Sequence, residues 1–203
     1  MNDWWTVSDL DEAKRKVCAS PEFDTVTRTD LDRLLRDIPV QPDWKILEVG
    51  CGIGRLMRPL REQVARVDGV DASASMIACA ETYLKDVPNG IVLTNDGKTL
   101  HSFPSNFYDF TFAFTVFQHI RSHMVVMSYL NEMYRVLKPG GFLRYQMHDT
   151  SDPAFGRWEE NPTTVWGNAY TRDEVGELAV FASFSEVMVE EEPPWQWVTA
   201  RKR

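Results

Sequence analysis

Five short apolar runs alternate with helix-like segments along this 203-residue chain, and that alternation limits the fold more than any other feature. The runs are "WKILEV" (44–49), "RVDGV" (66–70), "IVLT" (91–94), "YDFTFAF" (108–114) and "FLRYQM" (142–147). Short, apolar at successive positions and bounded by turn residues, they read as parallel strands buried on both faces. Between them lie "RLMRPLREQV", "SASMIACAETYLKD" and "SHMVVMSYLNEMYRVL", each with helical spacing of apolar residues. The expected fold is therefore α/β, a doubly wound, Rossmann-like and mostly parallel sheet with helices on both faces. The third helix should stop at "KPGG" (138–141), where Pro139 prevents continuation and the glycines turn the chain into the next strand.

The two flanks complete the layout. Residues 1–43 read as an N-terminal helical cap, in which "TDLDRLLRDI" places Leu31, Leu34, Leu35 and Ile38 on one face, to pack over the sheet edge or the ligand mouth. Near the other end, Thr171 stands three residues before Glu174, a capping-box spacing that should start a helix reaching about Phe181. "FSEVMV" and "WQWVTA", separated by "EEEPP", then form a C-terminal antiparallel strand pair. With 43% apolar residues, one domain over 1–203 can bury a core of ordinary size.

Composition removes several classes. No run of about 18 apolar residues occurs and the N-terminus is too polar for a secretory segment, so a cytoplasmic protein with no membrane partner is expected. A net charge of −8 leaves little electrostatic case for nucleic acid, and the basic "ARKR" end reads as a solvated tail. Cys18, Cys51 and Cys79 show no metal-ligand spacing and read as free thiols, so no metal is expected.

The stretch "ILEVGCGIG" (46–54) falls between the first strand and the first long helix. Gly50, Gly52 and Gly54 allow a sharp turn and should present amide groups to an acceptor at a helix N-terminus. A dinucleotide fingerprint needs its last glycine at position 55, which is Arg55 here, so the spacing is GxGxG. Glu48 ends the strand two residues before the first glycine, where a pyrophosphate would be repelled and a ligand with a cationic end favoured.

These residues resemble motif I of the class I S-adenosylmethionine-dependent methyltransferases, in "ILEVGCGIGR". The order of "VDGVDASASMI", "TNDG", "YDFTFAFTVFQHI" and "EMYRVLKPGG" is similar to the later motifs of that family. The resemblance covers roughly residues 40–147. It implies S-adenosylmethionine as cofactor, with Glu48 meeting the amino group of the methionine moiety and Gly50, Cys51, Gly52 and Gly54 lining it. Asp71, 21 residues after Gly50, would accept the ribose hydroxyls, with Ala72 beside it; the other reading of Asp71 is a cap for the following helix. Asp96 and Gly97 would meet the adenine edge, although Asn-Asp-Gly is also ordinary turn chemistry. Met76 suits either the adenine face or the core. Thr115 and Phe117 would wall the site after the fourth strand, with Val116 between them on the cofactor side.

A hydroxyl acceptor must lose a proton, and a base titrating near neutrality suits that task. His119, His148 and Asp149 follow the fourth and fifth strands on the active edge of such a sheet and are the candidates; a structural role fits each as well. Residues 150–170, with Phe155, Arg157, Trp158, Trp166 and Tyr170, read as an acceptor lid or as aromatics packed under a loop, and Trp4 and Trp5 could join them. Glu159 and Glu160 could orient a cationic acceptor or form a surface pair. Neither an (N/D)PPY stretch nor a Pro-Cys dipeptide follows the fourth strand, so a small-molecule acceptor is favoured over nucleic acid. Two alternatives remain: a cofactor-binding regulatory or scaffold protein without turnover, and a nicotinamide- or flavin-dependent oxidoreductase.

Overall fold

A computed structural model describes residues 5–150 and 168–203. Most of the expected lid, with Phe155, Arg157, Trp158, Glu159, Glu160 and Trp166, and also Trp4, lies outside the described residues. The chain forms two compact units, Met1–Gly97 and Lys98–Arg203.

The first unit runs α1 (Leu10–Val17), α2 (Phe23–Leu34), β1 (Lys45–Val49), α3 (Met57–Arg61), β2 (Arg66–Asp71), α4 (Ala74–Tyr83) and β3 (Val92–Thr94). Its strands lie in the order β3-β2-β1 and are parallel, with Ile46 opposite Val67 and Val70 opposite Leu93. Ile46, Leu47, Val67 and Val70 are buried, as strands covered on both faces require. Only five residues of the expected first helix are α-helical. Gly50, Gly52 and Gly54 take φ of 72°, 53° and 78°, so regular helical geometry begins only near Leu56. Helix α4 starts where its cap dictates, Ser73 Oγ accepting the Met76 N–H at 3.3 Å.

The N-terminal cap lies against α4. Val7 N–H donates to Ser75 Oγ (3.0 Å), and Ser73 Oγ–H donates to the Trp5 carbonyl (2.8 Å). Val7, Ala13, Ile53 and Met76 form one buried cluster, extended by Trp5, Leu10, Val17 and Phe23. Burying such side chains stabilises the cap by about 1.5–3 kcal/mol each.

The second unit contains β4 (Tyr108–Ala113), α5 (His123–Val136), β5 (Leu137–His148), α6 (Arg172–Phe181), β6 (Ser185–Glu192) and β7 (Trp195–Arg201). Strands β4 and β5 are parallel, and the order β5-β7-β6 is antiparallel, as expected for the C-terminal pair. Among the described residues, the first unit's strands are thus all parallel, and the second unit's combine a parallel pair with an antiparallel terminal pair. The capping box at Thr171 and Glu174 forms as expected. "KPGG" differs from expectation, since β5 begins at Leu137 and runs through it. Leu137 already pairs with Tyr108, Lys138 bonds Asp109 (2.6 Å), and Gly140 N–H donates to Lys202 O (2.8 Å). Partners on both sides hold the segment extended, and the glycines supply a bulge within the strand.

Candidate cofactor and active site

The glycine loop in the first unit spends its amides internally. Gly50 and Cys51 N–H both donate to the Val70 carbonyl (2.7 and 3.0 Å), and Gly54 N–H donates to Cys51 O (2.8 Å). Gly52 N–H donates to Asp71 Oδ2 at 2.9 Å. The sequence reading had these amides facing a ligand; the register of β1 on β2 puts Val70 O and Asp71 within their reach instead. The glycines therefore serve the turn and close approach rather than an anion nest. A Cβ at Gly54 would stand 2.5 Å from Leu84 Cδ1, and one at Gly52 3.2 Å from Val17 Cγ1.

Two carboxylates remain as the polar features of this loop. Glu48 is 4% exposed, and its Oε2 has no hydrogen-bond partner among the described residues. Burial pushes its carboxyl well above the usual range; the Arg55 charge opposes that shift and Asp71 adds to it. An unpaired carboxylate oxygen in such surroundings is costly unless a cation or donor meets it. Asp71 accepts N–H bonds from Gly52 (Oδ2, 2.9 Å) and Ser73 (Oδ1, 2.8 Å), and burial raises its carboxyl despite them. Since Ser73 caps α4, Asp71 acts as the clamp between the glycine loop and the end of β2.

The neighbouring candidates gather around that clamp unevenly. Asn95 N–H donates to Asp71 O (3.0 Å), and a Cβ at Gly97 would lie 3.6 Å from Ala72 Cβ, so the "TNDG" turn adjoins the end of β2. Gly97 (φ 77°) closes that turn by donating to Asn95 Oδ1, and Asp96 is exposed beside it. Cys51 is buried, and burial raises its thiol, so it stays neutral. Met76 is 1% exposed inside the cluster with Val7, Ala13 and Ile53, the core placement of the two considered for it.

In the second unit, β4 leads into Thr115, Val116 and a 3-10 turn over Phe117–His119. Thr115 has φ 54°, which for a β-branched residue costs about 1–3 kcal/mol and marks a functional candidate. His119 is lowered to about 4, first by burial and then by the charge of His148. It is therefore neutral at pH 7, able to accept a proton but weakly driven to do so. His148 is 2% exposed, its ring 3.9 Å from that of Trp195. Asp149 bridges to Tyr170 and donates its N–H to Pro194 O (2.9 Å). Sequence reasoning missed Gln118 and Gln146, both buried and each with a side-chain Oε1 that has no partner among the described residues. Gln118 Nε2 lies 3.5 Å from His119 Nε2. Only Gln146 carried a signal, as a polar residue at a strand position that the pattern buries; Gln118 lies in the turn after β4.

Residues 47–145 match the family described as a methyltransferase domain. Over that segment the chain is similar to this family, and its strand order is that of a Rossmann-like fold. A demethylmenaquinone methyltransferase of Listeria welshimeri is 30% identical over 137 residues, 66% of this chain and 55% of that protein. A ubiquinone biosynthesis O-methyltransferase of Bradyrhizobium is 28% identical over 64% of this chain and 54% of its own length. The chain thus spans about half the length of these curated relatives. Among solved structures, a SAM-dependent methyltransferase from Aquifex aeolicus superposes with a TM-score of 0.70 at 22% identity, covering 96% of this chain and 98% of that one. Among the described residues no helix is long and apolar enough to cross a membrane.

The donor set fits S-adenosylmethionine. Glu48 Oε2, unpartnered among the described residues, suits an ammonium, and Asp71 suits vicinal hydroxyls, while a buried carboxylate at this strand end would repel a pyrophosphate.

Proposed function

We propose that this chain transfers the methyl group of S-adenosylmethionine to the oxygen or nitrogen of a small-molecule acceptor by in-line displacement. The observation that carries the reading is Glu48, buried at the end of β1 with an oxygen that no described residue satisfies. Glu48 holds the ammonium of the methionine moiety, Asp71 the ribose hydroxyls, and Asp96 with Gly97 the adenine edge; Gly50, Gly52 and Gly54 keep the loop thin. The cofactor supplies a methyl group already activated by the positive charge on sulfur. The protein's remaining task is to align an acceptor lone pair and, for a hydroxyl, to take up its proton. His119 is the candidate acceptor of that proton, with Thr115 and Val116 preceding it and His148 and Asp149 as the second pair. The names of the two curated relatives, which refer to demethylmenaquinone and ubiquinone, support a small-molecule acceptor, as does the net charge of −8.

Calorimetric titration with S-adenosylhomocysteine and NADH, followed by an acceptor screen for S-adenosylhomocysteine release, tests the reading. Binding of S-adenosylhomocysteine alone and turnover on a small acceptor are expected. NADH binding contradicts the cofactor assignment. Cofactor binding with no turnover on any small acceptor points to a binding protein.

A further inference from the structure

Arg55, the residue that breaks the dinucleotide fingerprint, is 7% exposed and gripped by helix α2. Its Nη2 lies 2.8 Å from Asp30 Oδ2, and its Nη1 donates to Thr27 Oγ1 at 3.4 Å. Arg33 approaches the other Asp30 oxygen at 4.0 Å. The charge of Arg55 also acts on Glu48, which is nonetheless left with Oε2 unpartnered. A guanidinium beside a buried carboxylate ordinarily makes a two-pronged pair with it, which would fill the place a ligand cation needs. Asp30 holds that guanidinium instead.

We propose that Asp30 is a positioning residue for cofactor binding: its ion pair retains the Arg55 guanidinium on α2, so that Glu48 keeps an open oxygen for the ligand's ammonium. The proposal rests on the cofactor reading above. It gives the N-terminal cap a part in recognition, since α2 contributes no ligand contact of its own in this account. The titratable and charged groups acting on Glu48 are Arg55 from the loop and Asp71 from β2, with the Cys51 thiol beside it and Asp30 acting through Arg55. Glu48 gives up a proton on meeting an ammonium, because burial holds its carboxyl high. Freed from Asp30, Arg55 would pair with Glu48, lowering the pH at which that proton is lost and blocking the ligand.

The test compares S-adenosylhomocysteine with 5′-methylthioadenosine, which lacks the amino-acid end, by calorimetry across pH. Asp30→Asn should weaken S-adenosylhomocysteine about tenfold or more, the scale of one hydrogen bond to a charged group. It should leave 5′-methylthioadenosine within about twofold and move the pH midpoint of S-adenosylhomocysteine binding downward, and Asp30→Glu should restore wild-type behaviour. Equal weakening of both nucleosides, or no change in either, overturns the proposal. If Asp30→Asn fails to fold, Arg55→Gln takes its place. It should move the midpoint upward, because Glu48 loses the cation that opposes its burial, and an unmoved midpoint overturns the proposal. Wild-type protein that binds neither nucleoside overturns the cofactor reading, and this inference with it.

Discussion

In the first unit the residues assigned to the cofactor are held by backbone geometry. Three glycines at positive φ, amides satisfied by Val70 O and Asp71, and a carboxylate buried at a strand end leave little freedom. In the second unit the candidate residues depend on side-chain surroundings: His119 is neutralised by burial and by His148, His148 packs on Trp195, and Thr115 holds a strained conformation. A backbone-built site tolerates few substitutions, because every change disturbs the turn itself. A site built from side chains can be retuned one residue at a time, which suits a family sharing one cofactor among many acceptors.

Gly52→Val should break the first half outright. A β-branched residue at φ 53° is strained, and its Cβ would press on Val17 Cγ1 at 3.2 Å. A stability loss of about 1–3 kcal/mol by denaturant unfolding is expected, with cofactor affinity reduced more than about 100-fold by calorimetry. Retained affinity would place the ligand away from this loop.

His119→Asn probes the second half. For a hydroxyl acceptor, turnover should fall about 100-fold, the low end for a positioned base because His119 is lowered to about 4, while cofactor affinity stays constant. The same variant has a stability signature. Between the folded value of about 4 and the ordinary 6.5, the unfolded chain binds a proton that the folded chain refuses. His119 therefore contributes stability above pH 6.5 that is lost as pH falls towards 4, about 1–3 kcal/mol in all. Glu48 and Asp71, raised by burial, act in the opposite sense, so the measurement is the difference between wild type and variant. A parallel pair of pH–stability curves would show that His119 is not held neutral.

Asp71→Ala sharpens the comparison with a smaller effect, since it removes one clamp on the Gly52 N–H while the Val70 carbonyl still holds Gly50 and Cys51. The loss should be about 10- to 150-fold in cofactor dissociation constant, from hydrogen bonds to a charged acceptor. Unchanged affinity would leave Asp71 as a loop clamp alone.

The same contrast explains what the sequence disclosed. Gly50, Gly52 and Gly54 were legible because only glycine takes successive positive φ without strain, and Thr171 with Glu174 because a capping box is local. The extended "KPGG" was not, since its partners Asp109 and Lys202 are remote in sequence. The loop amides were misread for the same reason: their acceptors belong to β2. Arg55 was read only as an absence of glycine, whereas its meaning comes from Asp30, 25 residues earlier. Met76 satisfied two patterns equally, and only the packing of Val7 and Ala13 distinguishes them.

The central claim is that the buried Glu48 carboxyl receives the ammonium of the cofactor. Titration of S-adenosylhomocysteine into wild type and Glu48→Gln, in buffers of different ionisation enthalpy, tests it most directly. Wild type should release protons on binding, because a carboxyl held high by burial must ionise to meet the cation; the variant should bind at least about tenfold more weakly and release none. Equal affinity and equal proton release in the two proteins would contradict the claim.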